Sequence, residues 1–239
     1  MTRAQAVAHA QDYFDSGSLK RDLSRLIAMP TESQNPERAP VLSDYLENEM
    51  RPLLEGLGFT CRTLTHPRAK GPFLFAERIE DPSLPTIFGY GHGDVIRGLD
   101  AQWSEGLSPW TLTERGDRWY GRGVVDNKGQ HVININALRA VLETRGKLGF
   151  NAKYLIEMGE ECGSPGLREL CTEQKELFKS DVLIGSDGPR LNAERPTIFL
   201  GSRGGVTFDL SINAREGGHH SGNWGGILSD PAIQLAHAI

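Results

Sequence analysis

The feature that most constrains the fold of this chain is a regular alternation of apolar segments and helical segments in its central part. Three segments have the length and apolar content of strands, and two segments between them carry apolar residues at helical spacing. In chain order they are 86–90, 129–143, 152–158, 166–178 and 181–185. Strands that alternate with helices usually form a largely parallel sheet with helices packed on its faces. The sequence therefore predicts an α/β fold with a mostly parallel central sheet flanked by helices.

The flanking parts of the chain carry weaker signals of the same kind. Helices are predicted over 4–29, with a break at 15–17, and over 41–57. Strands are predicted over 59–64, 73–78, 197–200 and 206–212. The polar, tryptophan-containing segment 96–118 is predicted to be irregular.

Composition excludes several classes of protein. The chain has 239 residues, is 38% hydrophobic and carries a net charge of −5, and it contains no block of Lys and Arg that would indicate nucleic-acid binding. No apolar run approaches the length of a membrane span, and the N-terminus lacks the apolar segment of a secretory signal. The 3 cysteines form no CxxC pair. A reduced, cytoplasmic protein that binds neither nucleic acid nor membrane is expected.

Residues suited to metal binding lie next to the predicted strands and the central helix. His92 and Asp94 follow the strand at 86–90, and Asp126 precedes the helix at 129–143. The other candidates, after the two later strands, are Glu160, Glu161 and Asp187. Because α/β sheets bind their ligands beyond the carboxyl ends of strands, these side chains are candidates for one site. Imidazole and carboxylate groups bind divalent ions, and a further carboxylate can act as a base in hydrolysis.

Each of these residues also has a simpler explanation when it is taken alone. His92 and Asp94 fit a turn, Asp126 fits a helix N-cap, and Asp187 fits a turn beside Gly188. The Glu160–Glu161 pair fits an exposed loop. In extended backbone, however, adjacent side chains diverge, so that one glutamate could bind a metal while the other faces an attacking water.

A nucleotide-binding α/β protein is a further hypothesis, and the sequence gives it little support. Gly121 and Gly123 do not complete a dinucleotide-binding motif, because Asp126 stands where the third glycine is needed. A serine hydrolase is also disfavoured, since the chain has no G-x-S-x-G motif.

The order of the motifs resembles that of the M20 metallopeptidases, the family of carboxypeptidase G2, acetylornithine deacetylase, succinyl-diaminopimelate desuccinylase, aminoacylase-1 and carnosinase-type dipeptidases. The matching segments are GYGHGDVI at 89–96, WYGRGVVDNKG at 119–129, MGEECGSPG at 158–166, GSDGP at 185–189, GSRGG at 201–205 and HHSGNWGG at 219–226. Any one of them is weakly specific, whereas the ordered set is highly specific.

The resemblance implies a role for each candidate residue. His92 and Asp187 would bind one zinc ion, Glu161 would bind a second, and Asp126 would bridge the two. The peptide bond between Asp126 and Asn127 is often cis in such enzymes. Glu160 would be the general base, and Asp94 would support His92. Two further roles are implied: His220 would stabilise the oxyanion in the active site of the partner subunit, and Arg203 would help to bind a substrate carboxylate.

The resemblance also implies an architecture and an activity. Residues 1–201 would form the first part of a zinc-exopeptidase-like catalytic domain, and residues 202–239 would begin a smaller α+β lid that forms a homodimer. The complete site would hold two Zn²⁺, with Co²⁺ or Mn²⁺ as alternatives. The substrate would be a dipeptide or an N-acyl amino acid, so that the enzyme is a dipeptidase, a carboxypeptidase or a deacylase.

The sequence departs from the family pattern at one ligand. The second zinc of these enzymes takes a histidine from a segment beyond the lid, and no such segment is present among the 239 residues. The chain is therefore expected to be the N-terminal portion of a longer enzyme. The alternative is a non-catalytic metal-binding or interaction fragment that binds about one zinc, through His92, Asp126 and Asp187, and has little peptidase activity.

Overall fold

The computed structural model of the protein describes residues 2–192, 194–201 and 203–239. The strands are β1 (Thr60–Leu64), β2 (Phe73–Arg78), β3 (Thr86–His92), β4 (Thr113–Arg115), β5 (Arg118–Tyr120), β6 (Asn151–Glu157) and β7 (Val182–Gly185). The helices are α1 (Arg3–Asp15), α2 (Ser18–Ile27), α3 (Ala39–Asp44), α4 (Arg51–Glu55), α5 (Lys128–Arg145), α6 (Leu167–Glu173), α7 (Ser221–Trp224) and α8 (Pro231–Ala238). A π-helical segment, Tyr45–Met50, joins α3 to α4.

The central sheet has five strands in the order β1-β2-β6-β3-β7. The strands β6, β3 and β7 are parallel, as the alternation of strands and helices predicts, whereas β1 and β2 pair antiparallel with their neighbours. The α/β class is confirmed, and the sheet is mixed. The chain passes from β1 to β2 and from β2 to β3 without a helix that could carry it back across the sheet. The strand β2 therefore runs opposite to β1 and to β3, and so opposite to β6, which is parallel to β3.

Apolar residues pack on both faces of this sheet. On one face, alternate residues of β2 and β6 pack with α2, with the segment 42–57 and with α5. On the other face, Phe73, Phe75 and Phe88 pack with Leu170 of α6. This alternation is what a strand buried on both sides requires, because successive side chains point to opposite faces. The result is a three-layer unit that holds the carboxyl ends of the parallel strands at one edge.

The start of α5 is packed so closely that only glycine fits there. A Cβ atom on Gly129 would lie 2.0 Å from the backbone oxygen of Val124. We expect Gly129→Ala to lower the free energy of unfolding by about 1–3 kcal/mol, because backbone atoms must move to admit the methyl group. Chemical denaturation measures this change. Gly185→Ala is the matched control, since no heavy atom lies within 4 Å of a Cβ at that position, and equal stability of the two variants would contradict the prediction.

Several elements differ from the sequence prediction. The segments 197–200 and 206–212 are not strands in the described residues, and Ile198, Leu200 and Val206 are exposed. A strand needs a hydrogen-bonded partner, and neither segment has one in this part of the chain. Conversely, the region 96–118, predicted as irregular, contains β4 and the first residue of β5, which form a hairpin that turns at Gly116-Asp117.

The chain divides into two compact units, Met1–Gly188 and Pro189–Ile239. The first unit ends before residue 201, where the sequence predicts the catalytic domain to end, and Ser202, the first residue of the predicted lid, lies outside the described residues. The second unit contains α7 and α8, and Asp230 caps α8 by accepting a hydrogen bond from Ala232. None of the helices in the described ranges has the length and apolar content needed to cross a bilayer.

Candidate metal centre and active site

The parallel strands deliver the candidate residues to the same edge of the sheet. In the register of these strands, His92 lies opposite Glu157 and Tyr90 lies opposite Gly185, so that β3, β6 and β7 end side by side. His92 is the last residue of β3, which extends two residues beyond the predicted strand end at residue 90. Glu160 begins a short 3₁₀ turn that follows β6, and Asp187 follows β7.

The imidazole of His92 faces three carboxylates. Its Nε2 atom lies 3.1 Å from Oδ1 of Asp126, 3.6 Å from Oδ2 of Asp187 and 3.9 Å from Oε2 of Glu160. The ligand atoms of His92, Asp126 and Asp187 all lie within 4.8 Å of one another, and within the described ranges this is the one group of His, Cys, Asp and Glu side chains so arranged. One imidazole nitrogen and two carboxylate oxygens at this spacing fit a divalent ion such as Zn²⁺, Co²⁺ or Mn²⁺.

The charges around His92 favour a cation at this position. Burial alone lowers the pKa of His92, but the hydrogen bonds and charges of Asp187 and Asp94 outweigh it and raise the pKa to about 11. The hydrogen bond from His92 in turn lowers the pKa of Asp187. Without a metal, a proton on His92 therefore compensates these carboxylates, and a bound divalent ion would take over that role.

Asp94 connects the predicted ligand to the predicted base. It is fully buried, and its Oδ1 atom lies 3.3 Å from Nδ1 of His92, whose ring also lies 3.0 Å from the backbone oxygen of Asp94. The backbone N–H groups of Glu160 and Glu161 each donate to one of its carboxylate oxygens, both at 3.2 Å. Asp94 thus orients the His92 ring, as a carboxylate behind a metal-binding histidine does, and it also holds the turn that carries both glutamates.

The two glutamates of this turn lie outside the group formed by His92, Asp126 and Asp187. Glu160 lies beside that group, with its Oε2 atom 3.9 Å from Nε2 of His92. Burial has the largest effect on both carboxyl groups and raises the pKa of each, and the charge of Asp126 raises the pKa of Glu161 further. A carboxylate whose pKa is raised is a better proton acceptor than an ordinary glutamate.

Asp126 does not cap the helix that follows it. The helix α5 begins at Lys128 and its N-cap residue is Asn127, so Asp126 lies one residue before the cap. The Asp126–Asn127 peptide bond is cis, as the family resemblance implies. The side chain of Asp126 is 64% exposed, which leaves the site open to solvent on this side.

Sequence reasoning did not identify two buried charged residues near the site. Lys128 is fully buried and donates to the backbone oxygens of Leu26 and Met29, each at 2.8 Å, which fixes the start of α5 to the end of α2. Burial lowers the pKa of Lys128 to about 7. A signal was present in the sequence, because Lys128 falls at helical spacing with the apolar Val132 and Ile135 and therefore on the buried face.

Glu157 is the second of these residues. Its Oε1 atom accepts hydrogen bonds from the hydroxyl groups of Tyr90, at 2.5 Å, and Ser164, at 2.8 Å. Burial raises the pKa of Glu157. Through Glu157, the last residue of β6, these bonds connect β3 to Ser164, two residues beyond the turn that bears Glu160. In the sequence, Glu157 is one residue of an apolar strand and carries no signal of this contact.

The remaining candidates, Arg203 and His220, belong to the second unit. His220 is the N-cap of α7, and its Nδ1 atom accepts a hydrogen bond from the backbone N–H of Gly222 at 3.1 Å. Arg203 is exposed. Their roles in oxyanion stabilisation and substrate binding stay predictions.

Comparison with known proteins links this arrangement to peptidases. Beta-Ala-His dipeptidase of Rattus norvegicus is 34% identical over 221 residues, which are 91% of this chain and 42% of that protein. Cysteinylglycine-S-conjugate dipeptidase of Corynebacterium striatum is 38% identical over 157 residues, 65% of this chain and 34% of that protein. The chain thus spans between a third and half of the length of these curated relatives.

Structural comparison and family comparison agree with this similarity. The crystal structure of human carnosine dipeptidase 1 matches with a TM-score of 0.71 and 26% sequence identity, over 97% of this chain and 51% of that one. The sequence model of peptidase family M20/M25/M40 matches residues 89–220, more than half of this chain. That region contains His92, Asp126, Glu160 and Asp187. The chain belongs to peptidase family M20/M25/M40.

Proposed function

We propose that this chain supplies the first metal site and the general base of a metal-dependent dipeptidase. The observation that carries the proposal is the group formed by His92, Asp126 and Asp187, with Glu160 beside it. A metal site next to a free carboxylate is the arrangement that hydrolysis of an amide bond requires. The names of the similar proteins, which are dipeptidases, support a dipeptide as the substrate.

The residues of the chain have distinct roles in this proposal. His92, Asp126 and Asp187 would hold a zinc ion, and Asp126 and Glu161 would contribute to a second one. Bound zinc supplies Lewis acidity to the substrate carbonyl and to the attacking water. Glu160 accepts the proton of that water and then donates it to the leaving amine. Asp94 keeps the Nδ1 hydrogen of His92 engaged, so that Nε2 faces the metal.

The second unit, Pro189–Ile239, is proposed to contribute part of a lid domain. The resemblance of residues 201–205 and 219–226 to family motifs supports a lid that begins near residue 202 and forms a homodimer. In such a dimer, His220 would stabilise the oxyanion in the active site of the partner subunit, and Arg203 would bind the substrate carboxylate.

The proposal is tested by hydrolysis assays on protein from which metals have been removed by a chelator. The substrates are β-Ala-His, Cys-Gly and a set of N-acetyl amino acids, each with and without added Zn²⁺, Mn²⁺ or Co²⁺. We expect dipeptide hydrolysis to rise by about 100-fold or more when a metal is restored, because the barrier then falls by several kcal/mol. N-acetyl amino acids are expected to remain intact.

The other outcomes of this assay select between the alternatives. Faster hydrolysis of N-acetyl amino acids than of dipeptides would assign the protein as a deacylase. Metal binding without hydrolysis of any substrate would favour the non-catalytic metal-binding fragment, which the presence of three ligands at a single site supports. Hydrolysis that survives complete removal of metal would contradict the proposal.

A further inference from the structure

The side-chain amide of Asn127 lies where the segments that carry His92, Asp126 and Asp187 meet. Asn127 is fully buried. Its Oδ1 atom lies 3.2 Å from the backbone nitrogen of His92 and 3.2 Å from Nδ1 of His131. Its Nδ2 atom lies 2.6 Å from the backbone oxygen of Ser186 and 3.2 Å from Oδ1 of Asp187. One amide therefore joins the end of β3, the first turn of α5 and the segment after β7.

The partners of Asn127 determine the orientation of its amide. The backbone N–H of His92 can only donate a hydrogen bond, so the atom that faces it must be the amide oxygen. The backbone oxygen of Ser186 can only accept one, so the atom that faces it must be the amide nitrogen. A rotation of the amide by half a turn would break both contacts, and the observed orientation is therefore the only one that satisfies them.

The amide of Asn127 also contacts a buried histidine, His131, which in turn contacts Tyr45. Because the amide oxygen accepts a hydrogen bond, Nδ1 of His131 must carry the hydrogen, and Nε2 of His131 then accepts the hydroxyl hydrogen of Tyr45 at 2.7 Å. Gly91 packs closely against Asn127 and His131, at a distance that leaves no room for a side chain. A Cβ at Gly91 would lie 2.9 Å from Oδ1 of Asn127 and 2.7 Å from Cβ of His131.

We propose that Asn127 is a positioning residue that sets the spacing between His92 and Asp187 before the metal binds. Its oxygen holds the backbone of His92, and its nitrogen holds one carboxylate oxygen of Asp187. The other oxygen, Oδ2, is the one that lies 3.6 Å from Nε2 of His92. Asn127 contacts neither substrate nor metal in this role, and the inference rests on the metal site of the proposed function.

The test is the zinc affinity of the purified protein carrying Asn127→Asp, measured by competition with a chromophoric zinc chelator. The variant has nearly the same shape but puts an oxygen where Nδ2 donates to Ser186 and Asp187. We expect zinc to bind about 10- to 100-fold more weakly, the usual effect of losing a residue that orients metal ligands. Asn136→Asp is the matched control, because Asn136 is a buried asparagine within α5, the helix that Asn127 precedes, and its Nδ2 donates to Val132 instead.

Zinc affinity that falls no further in Asn127→Asp than in Asn136→Asp, with both variants folded by circular dichroism, would overturn the inference. Tyr45→Phe tests it if Asn127→Asp does not fold. This variant removes only the donor to His131, and we expect about 3- to 10-fold weaker zinc binding from the loss of one buried hydrogen bond; unchanged affinity would count against the inference. Wild-type protein that binds no zinc would instead overturn the proposed metal site, and the inference with it.

Discussion

Replacing Glu160 by glutamine is expected to lower dipeptide turnover about 10³-fold, within the range that general acid–base catalysis contributes. Zinc content is expected to stay at the wild-type value. Glutamine has nearly the shape of glutamate but cannot accept the proton of the attacking water. Turnover and zinc content are measured on the same preparation, the first by release of amino acids and the second by atomic emission.

The structure explains why Glu160→Gln should lower turnover without lowering zinc content. Glu160 lies beside His92, yet it is not one of the three residues whose ligand atoms cluster around a single position. The N–H group that fixes its turn is a backbone group, which donates to Asp94 and is retained in the variant. The metal ligands should therefore keep their geometry when the side chain at residue 160 changes.

A glutamate outside the site provides the control for this experiment. Glu173→Gln removes an equivalent charge from a side chain that is 60% exposed at the end of α6, and it should retain normal turnover. Loss of zinc from Glu160→Gln would assign Glu160 as a ligand rather than a base. Turnover within about 10-fold of the wild-type value would exclude it as the base, since that is less than general-base catalysis contributes.

The part of the fold nearest the site could be predicted because its signals are local. The apolar runs of β3, β6 and β7 and the periodic stripe of α5 each follow from burial of one segment, and all four elements are present. The rule that sites lie beyond the carboxyl ends of parallel strands then brings His92, Glu160 and Asp187 to one edge. The role of each residue came from the family resemblance and not from these patterns.

Elements that depend on a distant partner were not predictable in the same way. The segments 197–200 and 206–212 have β-forming composition but no strand partner in the described residues. The antiparallel pairing of β1 and β2 likewise depends on the chain path and not on composition. The hairpin β4–β5 was missed because its strands are only 3 residues long, although Gly116-Asp117 is a recognisable turn pair.

The buried polar residues of the site were the least predictable feature. Asn127, Lys128 and His131 are all fully buried at the start of α5, where each of them has a hydrogen-bonded partner from another part of the fold. Helical spacing can indicate that Lys128 and His131 face the core, but it cannot name those partners. Buried polar groups are stable only when such partners exist, so the contacts become visible only in three dimensions.

Replacing Asp187 by asparagine is expected to weaken zinc binding by more than about 100-fold, beyond the range seen when only an orienting residue is lost. The two oxygens of Asp187 have separate tasks. Oδ1 accepts a hydrogen bond from Nδ2 of Asn127, and Oδ2 lies 3.6 Å from Nε2 of His92, which is another of the proposed metal ligands. An asparagine at this position must direct its NH₂ group either against the NH₂ group of Asn127 or into the ligand position.

Both orientations of such an amide are unfavourable, because an NH₂ group neither accepts a hydrogen bond nor binds a metal. His92 and Asp126 would then be the only remaining members of the group, and two ligands do not form a stable zinc site. Isothermal titration with Zn²⁺ measures the loss. Asp117→Asn is the control, since Asp117 has a side chain that is 96% exposed and its replacement should leave zinc affinity unchanged. Equal affinity of the two variants would show that Asp187 is not a ligand of the zinc ion.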